Sequence, residues 1–462
     1  MDTKKLAAEL LYRKKSVYET KKDTDIDAAY TYAVGYAAYL DAAKTEREAV
    51  TTSLDMAIAK GFKPYTMGMP LTVGGKYYYN NRGKNLYLFT IGKKPIEEGI
   101  RICAAHIDSP RIDLKQSPLY EEDGMSFFKT HYYGGIRKYQ WVATPLSLHG
   151  VIVKKDGSTV TVNIGEDEGD PVFYINDLLP HLAYDGSEKL PIGEAIQGEK
   201  LNILVGSRPI DTESDNAIKL NTLYLLNQKY GITEADLLSA ELCAVPAFKA
   251  RDIGFDRSLV GAYGHDDRVC AYPALSAILE AEAPENTIMC ILADKEETGS
   301  EGNTGMKSAL LPDLINEISR ALGGNPALVR ANSKCLSADV SAAYDPNFPA
   351  VFEKRNTPLL SAGVVLTKFT GSRGKSSTND ASAEYIGWLR RVMEDHGVIW
   401  QAGELGKVDC GGGGTVAKYI AGHNIETVDL GVPVISMHAP FEVIAKVDLY
   451  EAYRAFTAFC HA

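Results

Sequence analysis

Five apolar runs in the sequence end in residues that ionise or bind metals. ICAA runs into His106 and Asp108, and LVGAYG into His265-Asp266-Asp267. IMCILA leads to Asp294, Glu296 and Glu297, CLSA to Asp339, and VPVISM to His438. Each run reads as a buried strand, and sites in open α/β sheets collect beyond the carboxyl ends of strands. If Asp266, Glu296, Glu297 and Asp339 converge, their charges raise one another's pKa values and strain the fold. Two divalent cations cancel that charge. Two histidines complete a mixed N/O donor set suited to Zn, Co or Mn, and two such ions can share a carboxylate and a water. A donor set without cysteine fits a catalytic site better than a structural one. In His106-Ile107-Asp108 both polar side chains fall on one face of an extended segment. The Asp108 carboxylate can then accept the second ring N–H of His106. Of the adjacent Glu296 and Glu297, one can bind metal and the other can serve as general base. Taken singly, each signal has a plainer reading: Asp266 or Asp339 as a helix or turn cap, a lone histidine as a hydrogen-bonded structural group.

The elements that must position these residues alternate in type. Amphipathic helical stretches fill residues 1–62, followed by strands at Tyr77-Tyr78-Tyr79, NLYLFTIG and GIRICAAHIDSPRIDL. From 113 to 245 the chain is rich in tyrosine, glycine and short alternating runs, and Asp156-Gly157 marks a hairpin. A helix over 215–229 and the strand ELCAVPAF close this stretch. After 246 strands and helices alternate again, ending in a helix over FEVIAKVDLYEAYRAFTAF with Pro440 at its first turn. The expected fold is α/β: a mixed sheet flanked by helices on both faces. Residues 1–112 and 246–462 form one discontinuous catalytic domain, and 113–245 an inserted β-rich domain.

The chain has 462 residues and a net charge of −11, which disfavours nucleic acid or an anionic membrane as partner. The N-terminus lacks a signal-peptide pattern and no apolar run is long enough to span a membrane. Seven scattered cysteines without a CxxC pair read as reduced thiols, hence a cytoplasmic protein.

AHIDSPR, GHDDR, DKEETGSEG, SADVSAAYDPNFP and SMHAPFE, in that order, resemble the M18 metalloaminopeptidases, the aspartyl-aminopeptidase-like members of the dinuclear zinc peptidases. The resemblance covers nearly the whole chain. It implies that His106 and Asp339 bind one metal, that Glu297 and His438 bind another, and that Asp266 bridges them. It further implies Glu296 as general base, Asp108 as the partner of His106, peptide substrates, and an insert that builds dimers assembling into a dodecamer. Two departures stand out. His265 precedes the bridging aspartate where relatives often carry an apolar residue, and it is not counted as a ligand. Val340–Asp345 lacks the histidines of eukaryotic relatives, one of which is thought to help bind substrate.

Other stretches bear on substrate. GSRGKSS ends like a phosphate loop, but Phe369 stands where the first glycine belongs, which excludes a nucleotide site. Its Arg373 and Lys375 offer cations that could favour an N-terminal Asp or Glu. CGGGGTVAKYI could present the amides of Gly412 and Gly413 to a substrate carbonyl or carboxylate, or simply allow a tight turn. His181 could reach a neighbouring subunit's site or be structural. The expected activity is metal-dependent removal of N-terminal residues from peptides, with a preference for Asp and Glu. The alternatives are an N-acyl amino acid deacylase or amidase, and an inactive scaffolding shell of the same fold.

Overall fold

The computed structural model describes residues 2–185 and 189–462. Its main sheet has nine strands, and the strands that carry the candidate site lie at its centre. Ile288–Ala293, Arg101–His106, Lys334–Ser337 and Glu426–Gly431 are neighbours and run parallel. Asn85–Thr90 and Val364–Thr367 flank them antiparallel, so the sheet is mixed. Arg101–His106 and Ile288–Ala293 are buried along their whole length because both faces are covered. Their side chains alternate accordingly. Cys103, Ala105, Cys290 and Leu292 pack with Tyr36, Leu275, Phe456 and Phe459 of the helices Asp23–Ala42, His265–Glu280 and Lys446–His461. Ile102, Ala104, Met289 and Ile291 pack on the opposite face with Leu314, Ile315 and Ile318 of the helix Leu310–Ala321.

The end of the chain departs from expectation. The segment Glu442–Ala445 is a strand, and the last helix begins only at Lys446. Val443, Ile444 and Ala445 pair with Gly261, Val260 and Leu259 in turn, and the β-branched side chains of Val443 and Ile444 suit a sheet better than a helix. This five-stranded sheet also takes Pro433–Ile435, so ETVDLGVPVISM is two strands in two sheets. The change of sheet at Val432 delivers His438 to the site from the side.

Arg111–Glu122 through Ala240–Pro246 supply a separate antiparallel sheet of seven strands. Gly157, at φ +84°, makes the turn between Leu146–Val153 and Thr159–Ile164. The helix Ala217–Tyr230 packs on this sheet, around a core that includes Ile112, Phe128, Trp141 and Leu148.

A partly buried polar network ties the seven-stranded sheet to Lys44 and to Glu48 of the helix Glu46–Ala59. Glu166 Oε1 accepts from Lys44 Nζ and Ser147 Oγ, both at 2.7 Å, and His149 joins it at 3.0 Å. The other His149 nitrogen meets Glu48 Oε1 at 2.7 Å. Burial works against the Glu166 and Glu48 charges, but these hydrogen bonds prevail and hold both carboxyls below the ordinary 4.5. Burial also opposes the His149 charge, yet the same two glutamates raise it above 6.5. Depressed carboxyls stabilise the fold above their unfolded value and lose that contribution as pH falls. A raised histidine contributes below 6.5 and is lost as pH rises through its folded value. The network is therefore strongest between 4.5 and 6.5. Thermal unfolding should show Tm falling below pH 4.5 in the native chain, and falling less steeply in Glu166→Gln. Equal slopes would show that this seam carries none of the acid sensitivity.

Candidate metal centre

His106 is the last residue of the strand Arg101–His106, and the parallel partner Ile288–Ala293 ends level with it. The chain then turns through Lys295, at φ +65°, into a short 3-10 turn over Glu296–Thr298 that folds both glutamates back over the sheet end. Asp266 precedes the regular part of its helix, with ψ +106° and a cis peptide to Asp267. Its side chain faces the two histidines instead of capping the helix. Asp339 follows Lys334–Ser337, and His438 follows Pro433–Ile435.

These groups meet around Asp266. One of its carboxylate oxygens lies 3.1 Å from His106 Nε2, and the other lies 3.1 Å from His438 Nε2. His106 Nε2 is 3.9 Å from Asp339, and His438 Nε2 is 3.4 Å from Glu297. Donor atoms of His106, Glu296 and Asp339 fall within 4.8 Å of one another, as do those of His106, Asp266 and Glu297.

Both histidines are set to bind through Nε2. His106 donates from Nδ1 to the Asp108 carbonyl at 3.0 Å, and His438 donates from Nδ1 to the Gly135 carbonyl at 2.9 Å. Each hydrogen bond fixes the tautomer and leaves the Nε2 lone pair facing the carboxylates. The expected His106–Asp108 pairing is thus corrected in detail. The carbonyl is the nearer acceptor, and the carboxylate stands at 3.4 Å. That carboxylate is occupied otherwise: it accepts the backbone N–H of Glu296 and of Glu297, at 3.1 and 3.2 Å, and the Tyr133 hydroxyl at 2.8 Å. Asp108 therefore fixes the backbone on which the two glutamates sit. Although fully buried, it is held below the usual carboxylate range by His106 and Tyr133.

The electrostatics show a site short of positive charge. Burial, with Asp108 and Asp266 close by, pushes Glu296 up to about 7. Burial and a neighbouring carboxylate also raise Glu297 and Asp339 well above their ordinary values. Burial opposes charge on His438, yet Asp266 and Glu297 push it to about 10. Asp266 Oδ1 and Glu297 Oε1 are buried without a properly directed hydrogen bond. Nitrogen and oxygen donors that converge without bonding one another well are the arrangement a shared cation requires, so the residues fit divalent metal.

Several contributors receive no role from the sequence alone. Glu442 is buried and accepts the backbone N–H of Asp266 at 3.1 Å and of His438 at 2.7 Å. It stands in SMHAPFE, four residues past His438, so its proximity was visible in the motif. Ser109 Oγ donates to the Asp266 carbonyl at 2.6 Å. Asp267 is buried beside Asp266 and Asp339. His265 is no ligand: its ring meets the Tyr36 hydroxyl at 2.7 Å and the Val260 carbonyl at 3.1 Å, and burial lowers it to about 3.

A cavity of about 250 Å³ opens beside Asp266, Glu296, Glu297 and Asp339. Gly412 and Gly413 line it, together with Thr367, Thr370 and Asp429. Arg373 and Lys375 do not. Lys375 bonds Asp380 at 2.8 Å and lies over the Phe369 ring at 3.8 Å, so its charge is already matched at the surface. Arg373 is exposed in the same loop, whose Thr370 alone reaches the lining. His181 lies exposed on the 3-10 turn Pro180–Asp185 and does not join the lining.

A mixed α/β sheet with carboxylates and imidazoles gathered beyond its central strand ends is the frame of a metal-dependent hydrolase. Comparison with known proteins makes this specific. The family model for aminopeptidase I zinc metalloproteases (M18) matches residues 39–460. A probable M18 family aminopeptidase 1 of Clostridium acetobutylicum is 48% identical over 460 residues, covering 98% of this chain and 99% of that protein. The crystal structure of an M18 aminopeptidase from Thermotoga maritima superposes with a TM-score of 0.93 at 42% identity, over 98% of this chain and 100% of that one. The Saccharomyces mApe1 structure shares the fold at a TM-score of 0.76 and 22% identity, over 94% of this chain and 96% of that one. The chain belongs to the M18 family of zinc metallopeptidases and is an aminopeptidase.

Proposed function

We propose that the enzyme uses two divalent ions, most simply zinc, with Co or Mn as substitutes. His106 and Asp339 would hold one, Glu297 and His438 the other, and Asp266 would span both. The observation that carries this reading is the placement of the two Asp266 oxygens, each 3.1 Å from a different histidine. Bound there, the pair supplies Lewis-acid activation of water and of the scissile carbonyl. Glu296 takes a proton from the attacking water as the new C–O bond forms. It returns that proton to the amine nitrogen as the C–N bond breaks. Gly412 and Gly413 at the cavity wall leave backbone accessible to the peptide.

The preference for acidic N-terminal residues gains no support from the cavity, which no lysine or arginine among the described residues lines. Threonine hydroxyls, Ser341 and Asp429 surround the space instead, so neutral side chains should be accepted at least as well as Asp or Glu. The test is kcat/KM for Asp, Glu, Leu and Lys aminoacyl substrates and for N-acetyl amino acids, each with Zn, Mn and Co. Arg373→Ala and Lys375→Ala should leave the order unchanged. An acid preference abolished by either substitution would restore the cationic loop to the pocket. Turnover of the N-acetyl compounds alone would make the enzyme a deacylase.

The insert carries exposed Leu178, Leu182 and Leu225 and an apolar groove bounded by Phe128, Phe173 and Tyr230. We take this as a subunit interface, with dimers as the unit of a dodecamer, the state described for the Saccharomyces protein. His181 lies exposed on the same insert, open either to a neighbour's cavity in such an assembly or to a purely structural role. All seven cysteines are free, which supports the cytoplasm as location. Among the described residues no helix is long and apolar enough to cross a membrane.

A further inference from the structure

The inserted sheet reaches into the metal centre. Its strand Met125–Tyr133 ends beside Asp108, and the next two residues lie against the candidate ligands. Tyr133 donates its hydroxyl to Asp108 Oδ2 at 2.8 Å. The Gly135 carbonyl accepts the Nδ1–H of His438 at 2.9 Å. Gly134, at φ +74°, packs so closely that a Cβ there would stand 3.3 Å from both Cβ and Oε2 of Glu297. A Cβ on Gly135 would stand 3.3 Å from His438 Nδ1. The Tyr133 ring is itself pinned. The Arg111 guanidinium lies 4.1 Å over it while pairing with Glu46 and Asp113.

We propose that Tyr133-Gly134-Gly135 is a positioning element of the metal centre, through which the seating of the insert controls retention of the ion held by Glu297 and His438. Two of its three contacts fall directly on that pair. The third acts through Asp108 Oδ2, the same oxygen that takes the Glu297 backbone N–H. By contrast, the contacts that orient His106 and Asp266 come from outside the turn: the Asp108 carbonyl and Ser109 in the loop after Arg101–His106, and Glu442, which holds the backbone of His438 as well but does not touch its ring. The turn should therefore act on one ion and spare the other. This inference rests on the two-metal reading and deepens it.

The test is cobalt titration of the metal-free full-length enzyme, followed by visible absorption and equilibrium dialysis, for the native chain, Tyr133→Phe and Gly135→Ala. Tyr133→Phe keeps the ring under Arg111 and removes only the hydroxyl, so it guards against misfolding of the glycine variant. The native chain should take two Co(II) per subunit. Both variants should bind the first unchanged and the second 10- to 100-fold more weakly, the usual cost of losing an outer partner of a metal ligand. The ligand-field spectrum of the second ion should shift, with the oligomeric state by light scattering unaltered. Native-like binding of both ions in Tyr133→Phe and Gly135→Ala overturns this inference alone. So does parallel weakening of both ions, the mark of general loosening. A native chain that binds no cobalt overturns the two-metal reading and this inference with it.

Discussion

Glu296→Gln should retain its metal and lose about 10²- to 10⁴-fold in kcat, the range that a positioned general base contributes. The amide has the shape of the carboxylate but cannot accept the proton of the attacking water. The backbone that carries it stays fixed, because Asp108 holds the N–H groups of residues 296 and 297 and not their side chains. Glu297→Gln should behave oppositely. Its oxygen faces His438 at 3.4 Å, so weakening it should lower occupancy of one ion and make activity depend on added metal. Elemental analysis beside steady-state kinetics separates the two glutamates. Metal loss in Glu296→Gln with full occupancy in Glu297→Gln would exchange their assignments, a real contest because the Glu296 donor atom also lies within 4.8 Å of those of His106 and Asp339.

Asp266→Ala should abolish turnover and also remove the response of stability to metal. In the native chain, ions that bind only the folded state stabilise it by mass action, by about 4 kcal/mol when free metal stands at 1,000 times Kd. Removing the carboxylate that spans both positions should erase that gain. The metal-free variant should itself unfold at a lower temperature than the metal-free native chain, because the Asp266 carboxylate lies 3.1 Å from both imidazoles and, against its burial, is held low by them. The backbone contacts of residue 266 to Ser109 and Glu442 do not depend on its side chain, so the variant should still fold. Thermal unfolding with and without a chelator gives the four numbers needed. A metal-induced rise in Tm as large in Asp266→Ala as in the native chain would remove Asp266 from the centre.

The cluster was legible because each member follows an apolar run whose length and content mark a buried strand. A ligand at a strand end needs no knowledge of the partner strands to be recognised as exposed to a site. The alternation of strands and helices likewise set the fold class, since parallel central strands require helices on both faces. The hairpin at Asp156-Gly157 was readable for a local reason, the positive φ that glycine supplies.

What the tertiary structure decided is of another kind. FEVIA reads as the start of a helix until Leu259–Ala262 is seen to offer it a sheet edge, and pairing then outweighs local pattern. Lys375 looks like a free cation until Asp380 and Phe369 claim it. Tyr133 and Gly135 carry no chemical signature, because a hydroxyl and a backbone carbonyl acquire meaning only from what lies within 3 Å of them. Residue type and spacing along the chain thus determined which groups could bind metal and move a proton. Contacts distant in sequence determined the tautomer of His438, the acceptors of the backbone under the glutamates and the charge of the pocket, because hydrogen bonds and screening depend on three-dimensional distance that the order of residues does not encode.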